Sequence, residues 1–177
     1  MTTIVGVQHK TGCVMAADSQ TTWGERPFNS FGVDKIVEKN GYLIAVAGDG
    51  RAADILSHAW KPPRVNVNGD LYGFMVSKVI PSMRKALFDN GWKDSSDTKD
   101  DSGIDVIIAI KGQLFSIASD FTVLRDENGF YGAGSGGNYA VGALEAGVDI
   151  ETAVQIAIRY DINSGGVVQI VKQSSRR

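Results

Sequence analysis

Lys35-Ile36-Val37-Glu38-Lys39-Asn40-Gly41-Tyr42-Leu43-Ile44-Ala45-Val46-Ala47 decides the fold. Two apolar runs flank Asn-Gly, whose members both tolerate positive φ, so the stretch is a β-hairpin with a tight turn. Upstream, Ile4, Val5 and Val7 lead to His9, Lys10-Thr11-Gly12 turns, and Cys13-Val14-Met15-Ala16-Ala17 returns. That is a second hairpin. The Gly/Pro/Asn-rich stretch 23–32 between them reads as a loop or a long hairpin end.

Downstream the period changes. Ala52, Ile55, Leu56, Ala59 and Trp60 recur at helical spacing until Pro62-Pro63 stops them. A second helix from Asp70 carries Leu71, Phe74, Met75, Val79, Met83 and Leu87, and Pro81 inside it should kink or split it. The segment 94–103 has no apolar residue and reads as a solvated loop rather than a calcium loop, since no closing Glu follows. Strands resume at 104–110 and 114–119, with short runs at 122–124 and 130–132. Gly134-Ser135-Gly136-Gly137 then opens a helix over 139–146, another follows over 150–160, a last strand covers 167–171, and 173–177 is a polar tail. Hairpins, two helices, hairpins, two helices and a strand predict an α+β fold. It is a four-layer αββα sandwich of two antiparallel sheets flanked by helices, with 1–177 as one domain.

Composition agrees and narrows the function. Eighteen Val and fifteen Ile against seven Leu favour sheet. A net charge of −2 supplies no basic field for nucleic acid, and no apolar run approaches the roughly 18 residues a membrane span needs. The single cysteine, Cys13, excludes a disulfide framework; with no signal peptide, a cytoplasmic location is expected. Cys13 lies mid-strand and reads as a small buried hydrophobe. His9 and His58 lack spaced metal-ligating partners, and Trp23, Trp60 and Trp92 read as core or subunit-contact residues.

Thr2 is the residue with chemistry in it. Removal of Met1 would leave a hydroxyl nucleophile and a free α-amine on one residue. That amine titrates near about 8 and can serve as the base for its own Oγ. Such a device needs a cation beside the hydroxyl, carboxylates to hold that cation, and a donor for the developing oxyanion.

The chain supplies these in a recognisable order. Thr2-Thr3-Ile4-Val5-Gly6-Val7 with Gly12-Cys13-Val14-Met15-Ala16-Ala17-Asp18-Ser19 resembles the mature N-terminus of proteasome β subunits and of HslV, their bacterial homologue. Residues 35–43 resemble the strand carrying their lysine, and Gly48-Asp49-Gly50-Arg51-Ala52-Ala53-Asp54 their turn into the first helix. Gly134-Ser135-Gly136 and Asp161-Ile162-Asn163-Ser164-Gly165-Gly166 complete the set over residues 2–171. The resemblance implies the N-terminal-nucleophile hydrolase fold and a threonine-type endopeptidase. Thr2 would be the nucleophile, Lys35 its cation, Asp18 the partner of Lys35, and Ser135, Asp161 and Ser164 the network around the amine. The backbone N–H of Gly50 would be the oxyanion donor, with Gly48 and Asp49 as alternatives because the turn is about one residue longer than in relatives. Thr21, Gly48 and Ala52, small residues near the site, imply a roomy substrate pocket.

The same resemblance implies stacked homo-oligomeric rings of six or seven subunits, an unfolded polypeptide substrate and a separate AAA+ ATPase unfoldase. No ATP motif of the form G-x-x-x-x-G-K-[ST] occurs in the chain. Nucleic-acid and membrane partners are not expected. The chemistry needs no cofactor or metal, and a structural monovalent or divalent cation is left open. Two other readings compete. One is a non-catalytic ring subunit; the other is a nucleotide-binding module through G-x-G-x-x-G at 132–137, which requires a parallel βαβ unit.

Overall fold

Strand β1 (Ile4–His9) turns into β2 (Gly12–Asp18), and β3 (Gln20–Trp23) pairs with β4 (Arg26–Asn29) in a separate two-stranded ribbon, the long hairpin end allowed for 23–32. Next come β5 (Ile36–Lys39) and β6 (Tyr42–Gly48), paired across Asn40 and Gly41 at φ 51° and 82°. These descriptions come from a computed structural model that covers residues 2–24, 26–29, 34–66, 69–92 and 103–175. The acidic segment 94–103 lies outside the described residues except for Gly103, as does the side chain of Trp23.

Helix α1 (Gly50–Asp54) widens into a π-helical turn, Ile55–Ala59. Helix α2 (Leu71–Phe74) widens likewise over Met75–Val79 before α3 (Ile80–Asp89). Pro81 sits in the first turn of α3. Having no N–H, it cannot continue an i−4 ladder. Just ahead of it the Ile80 N–H bonds the Met75 carbonyl five residues back, so the coil widens instead of breaking. Strands β7 (Ile104–Ile110), β8 (Gln113–Ile117), β9 (Val123–Leu124) and β10 (Phe130–Ala133) follow, then α4 (Gly137–Glu145), α5 (Ile150–Tyr160) and β11 (Val168–Ser174).

Apart from the β3–β4 ribbon, the described strands form two sheets. One is ordered β10-β1-β2-β11 and the other β5-β6-β7-β8-β9, with every pairing antiparallel. Period-two alternation assigns each side chain to a layer. Ile44, Val46, Val106 and Ile108 meet Leu56, Met75, Met83 and Leu87 of the first helical layer. Leu43, Ala45, Ile107 and Ala109 instead face Ile4, Met15, Ala17 and Ala133 of the other sheet. On that sheet's outer side, Val5 and Ala16 meet Ala140, Ala153, Val154 and Ala157 of α4 and α5. Three apolar layers therefore separate four structural ones. Because β7 is buried on both faces, its sequence is apolar almost throughout, at roughly 1.5–3 kcal/mol per buried aliphatic side chain.

Two expectations need correction. The last strand runs through Gln173 and Ser174, which had been assigned to a polar tail; pairing with Cys13 and Gly12 of β2 outweighs their polarity. The 132–137 glycines do not open a βαβ unit, because β10 is an antiparallel edge strand beside β1. Their smallness lets α4 close on the sheet, as a Cβ on Gly132 would sit 3.0 Å from the Gly137 carbonyl oxygen.

Candidate active site

Thr2 precedes β1, and the β1–β2 register sets Ile4 opposite Ala17, which brings Asp18 beside Thr2 and Thr3. The Thr2 hydroxyl donates to Asp18 Oδ1 at 2.7 Å. Lys35, immediately before β5, donates Nζ to the same Oδ1 at 2.6 Å and also contacts Thr2 Oγ1. Asp18 is fully buried and its acceptors are used. Oδ1 also takes the Thr3 N–H at 2.9 Å, and Oδ2 takes those of Gly165 at 2.9 Å and Gln20 at 3.2 Å. Burial holds the Lys35 ammonium below the ordinary lysine range, against the opposing pull of Asp18 and Asp161. Hydroxyl, ammonium and carboxylate form one contact cluster across the two sheets.

A second cluster adjoins it. Asp161 Oδ2 accepts from Ser135 Oγ at 2.7 Å and Ser164 Oγ at 2.6 Å, and Ser164 Oγ meets Thr3 Oγ1 at 2.7 Å. Asn163 donates its backbone N–H to Oδ1 at 3.2 Å. As the C-cap of α5, Asp161 sits at the negative end of a helix, a poor place for an anion. Burial also pushes its carboxyl up, but the Ser164, Ser135 and Asn163 bonds outweigh it and hold the carboxyl below its ordinary value. Gly136 packs so tightly here that a Cβ would fall 1.8 Å from Thr3 Oγ1.

The first cluster opens on a cleft lined by Thr2, Thr21, Lys35, Gly48, Gly50, by Ala53 and Asp54 of α1, and by Ser57 and His58 of the π-helical turn that follows it. Gly48 has φ 107°, and a Cβ there would strike the Gly103 carbonyl at 2.2 Å, so only glycine fits this wall. Gly50 opens α1, so its N–H has no intrahelical acceptor. Asp49 is the N-cap, its carboxylate taking the Ala52 N–H at 2.8 Å, and it does not line the cleft.

Ala52 is a correction. It is fully buried in the core beneath α1, and Ala53 lines the cleft in its place, because neighbouring helical residues point about 100° apart. His58, which has no spaced metal-ligating partner in the sequence, lines the cleft, as do Gln20, Asp34 and Ser57, which had not been considered. Ser57 and His58 follow Ala53 and Asp54 by four residues, a helical spacing that could have found them. Cys13 is buried and its thiol is pushed up to about 11, as suits a hydrophobe. Among the described residues no three His, Cys, Asp or Glu side chains gather into a metal-holding group, and no helix is long and apolar enough to cross a membrane.

Solved structures supply the comparison. BPH of Thiobacillus denitrificans aligns with a TM-score of 0.80 at 24% identity, covering 98% of each chain. Its complex with epoxomicin gives 0.80 at 22% identity, over 99% of this chain and 100% of that one. Eukaryotic HslV from Trypanosoma brucei gives 0.65 at 21% identity, over 97% and 99%. This chain shares their fold. The four-layer sandwich implied by the likeness to proteasome β subunits and HslV is the one observed. No protein-family profile matches the chain, and no curated protein does.

Proposed function

We propose that this chain is a threonine-type endopeptidase, with Thr2 as nucleophile once Met1 is removed. The observation that carries the reading is Lys35 Nζ in contact with both Thr2 Oγ1 and Asp18 Oδ1 at the wall of an open cleft. The freed α-amine takes the proton of Oγ as Oγ attacks the peptide carbonyl. The nearby ammonium favours the developing alkoxide. The backbone N–H of Gly50 serves the tetrahedral oxyanion, the amine returns its proton to the leaving nitrogen, and an acyl ester on Thr2 remains. Water, deprotonated by the same amine, hydrolyses that ester. Ser135, Asp161 and Ser164 hold the Thr2–Thr3 segment and its amine in place.

The cleft receives the substrate side chain beside the scissile bond, with Thr21, Gly48 and Ala53 keeping it roomy. Its charge favours a basic side chain. Asp34 and Asp54 line it without a bonded cation among the described residues, whereas Lys35 is committed to Asp18. By the family resemblance, subunits of this kind close six- or seven-membered homo-oligomeric rings in the cytoplasm. The rings degrade unfolded polypeptide delivered by a separate ATPase.

Intact mass spectrometry with and without epoxomicin tests the reading. The expected result is loss of Met1, one inhibitor per chain attached at Thr2, and loss of peptidase activity on labelling. A processed chain that neither cleaves peptides nor takes the inhibitor would be a ring-forming scaffold instead.

A further inference from the structure

We propose that Gln169 is a positioning residue for Lys35: its side-chain amide grips both main-chain groups of Ile36 and so carries the lysine ammonium to the Thr2 hydroxyl. The inference rests on the peptidase reading for its meaning, but not for its measurement.

Thr2 and Asp18 belong to the four-stranded sheet, while Lys35 leads the edge strand β5 of the five-stranded one. Among the described residues no strand pairs with the outer side of β5. The Ile36 N–H nonetheless donates to Gln169 Oε1 at 2.9 Å, and Gln169 Nε2 donates to the Ile36 carbonyl at 2.8 Å. One side chain thus behaves as a single residue of an added strand. It also satisfies two half-buried backbone groups that water would otherwise have to reach. Two parallel bonds to a planar amide fix orientation as well as distance. Ile36 is anchored in the inter-sheet core, so the residue before it starts from a defined place and direction.

Gln169 comes from β11, the edge of the other sheet, where it lies opposite Ala17, one residue before Asp18. The same amide therefore sets the distance between the strand bearing the carboxylate and the strand bearing the ammonium. Gln173, four residues along the same face, makes an equivalent bridge: it donates to the Gly41 carbonyl at 3.0 Å and accepts the Gly112 N–H at 2.8 Å. It joins the sheets at the far turns, away from Lys35. That makes it an internal control for stapling alone.

Gln169→Met and Gln173→Met separate the two roles. Both should lower the melting temperature. Only Gln169→Met should reduce kcat per inhibitor-titrated site, by about ten- to hundredfold with KM changed less than about twofold, since a displacement near 1 Å costs that much. Lys35, followed by the 13Cε signal of labelled lysine, faces Asp18, Asp161, Asp34, Asp54 and His58. In Gln169→Met it should titrate closer to the ordinary lysine range, as the ammonium gains water; in Gln173→Met it should stay where it is. Wild-type kcat and an unmoved Lys35 titration in Gln169→Met would overturn the proposal, as would equal effects from Gln173→Met. If the native protein neither cleaves peptides nor binds epoxomicin, the peptidase reading fails, and the Lys35 titration still decides whether Gln169 positions it.

Discussion

Lys35 Nζ lies 2.6 Å from Asp18 Oδ1, and the carboxylate is sealed from solvent while the ammonium keeps 13% of its side-chain surface exposed. The partner inside the protein is therefore fixed, and the partner at the cleft is the one a reaction can use. Removing half of such a pair strands the other charge.

Lys35→Ala is expected to lower kcat by several orders of magnitude, because an unactivated hydroxyl is nearly inert. Its stability cost should fall at or below the low end of the roughly 3–5 kcal/mol typical for a broken buried pair, since Asp18 keeps its bonds from Thr3, Gly165 and Gln20. In the native protein, any peptidase activity should fall on the alkaline side at a pH below the ordinary lysine value of 10.5, because burial lowers the point at which Lys35 loses its proton. A pH–kcat series together with chemical denaturation checks both. Wild-type-like turnover in the variant would mean that another cation activates Thr2.

Thr2→Ala removes one hydroxyl and leaves Lys35 on Asp18. Peptide hydrolysis and epoxomicin labelling should vanish, while the stability change stays near the roughly 1 kcal/mol of a single lost hydrogen bond. Residual hydrolysis, or labelling at any other residue, would move the nucleophile elsewhere.

Asp54→Asn should lower kcat/KM for peptides with Arg or Lys before the cleaved bond by about tenfold, the effect of losing about 1.4 kcal/mol of charge attraction, and leave Leu-containing substrates within about twofold. Profiling a peptide set differing at that one position reads the result directly. Equal loss on both classes would point to a folding defect rather than to specificity.

Asp161 is held below its ordinary carboxyl value, so the folded state releases this proton more readily than the unfolded one. Its stabilising share is therefore complete above about pH 5 and is lost as pH falls through and below the ordinary value of 3.8. Melting temperatures measured from pH 7 to pH 3 should decline less steeply in Asp161→Asn than in the native protein. Parallel curves would assign the acid sensitivity to other groups.

Much of this architecture is legible along the chain because its signals are local. Asn40-Gly41 names its own turn, Asp49, Asp70 and Asp149 cap the helices they precede, and Pro81 marks a disturbed coil. What stays hidden depends on distance or direction. The Gln169 bond to Ile36 spans 133 residues, and no pattern in either strand announces it. Ala52 shares its helical spacing with Ile55 and Leu56, which already pointed it to the core; the family turn, not the pattern, put it at the cleft, where Ala53 lies instead. Gln173 and Ser174 join β11 through a ladder that hydropathy does not record.

The division of the cluster between two sheets has a consequence for how the chain comes to life. Thr2 and Asp18 arrive on one slab and Lys35 on the other, so a half-made molecule, or one whose halves have drifted apart, holds an inert alcohol and a distant amine. On the peptidase reading, reactivity requires the two sheets to be packed together. On that reading, an unfinished chain would lack the assembled nucleophile.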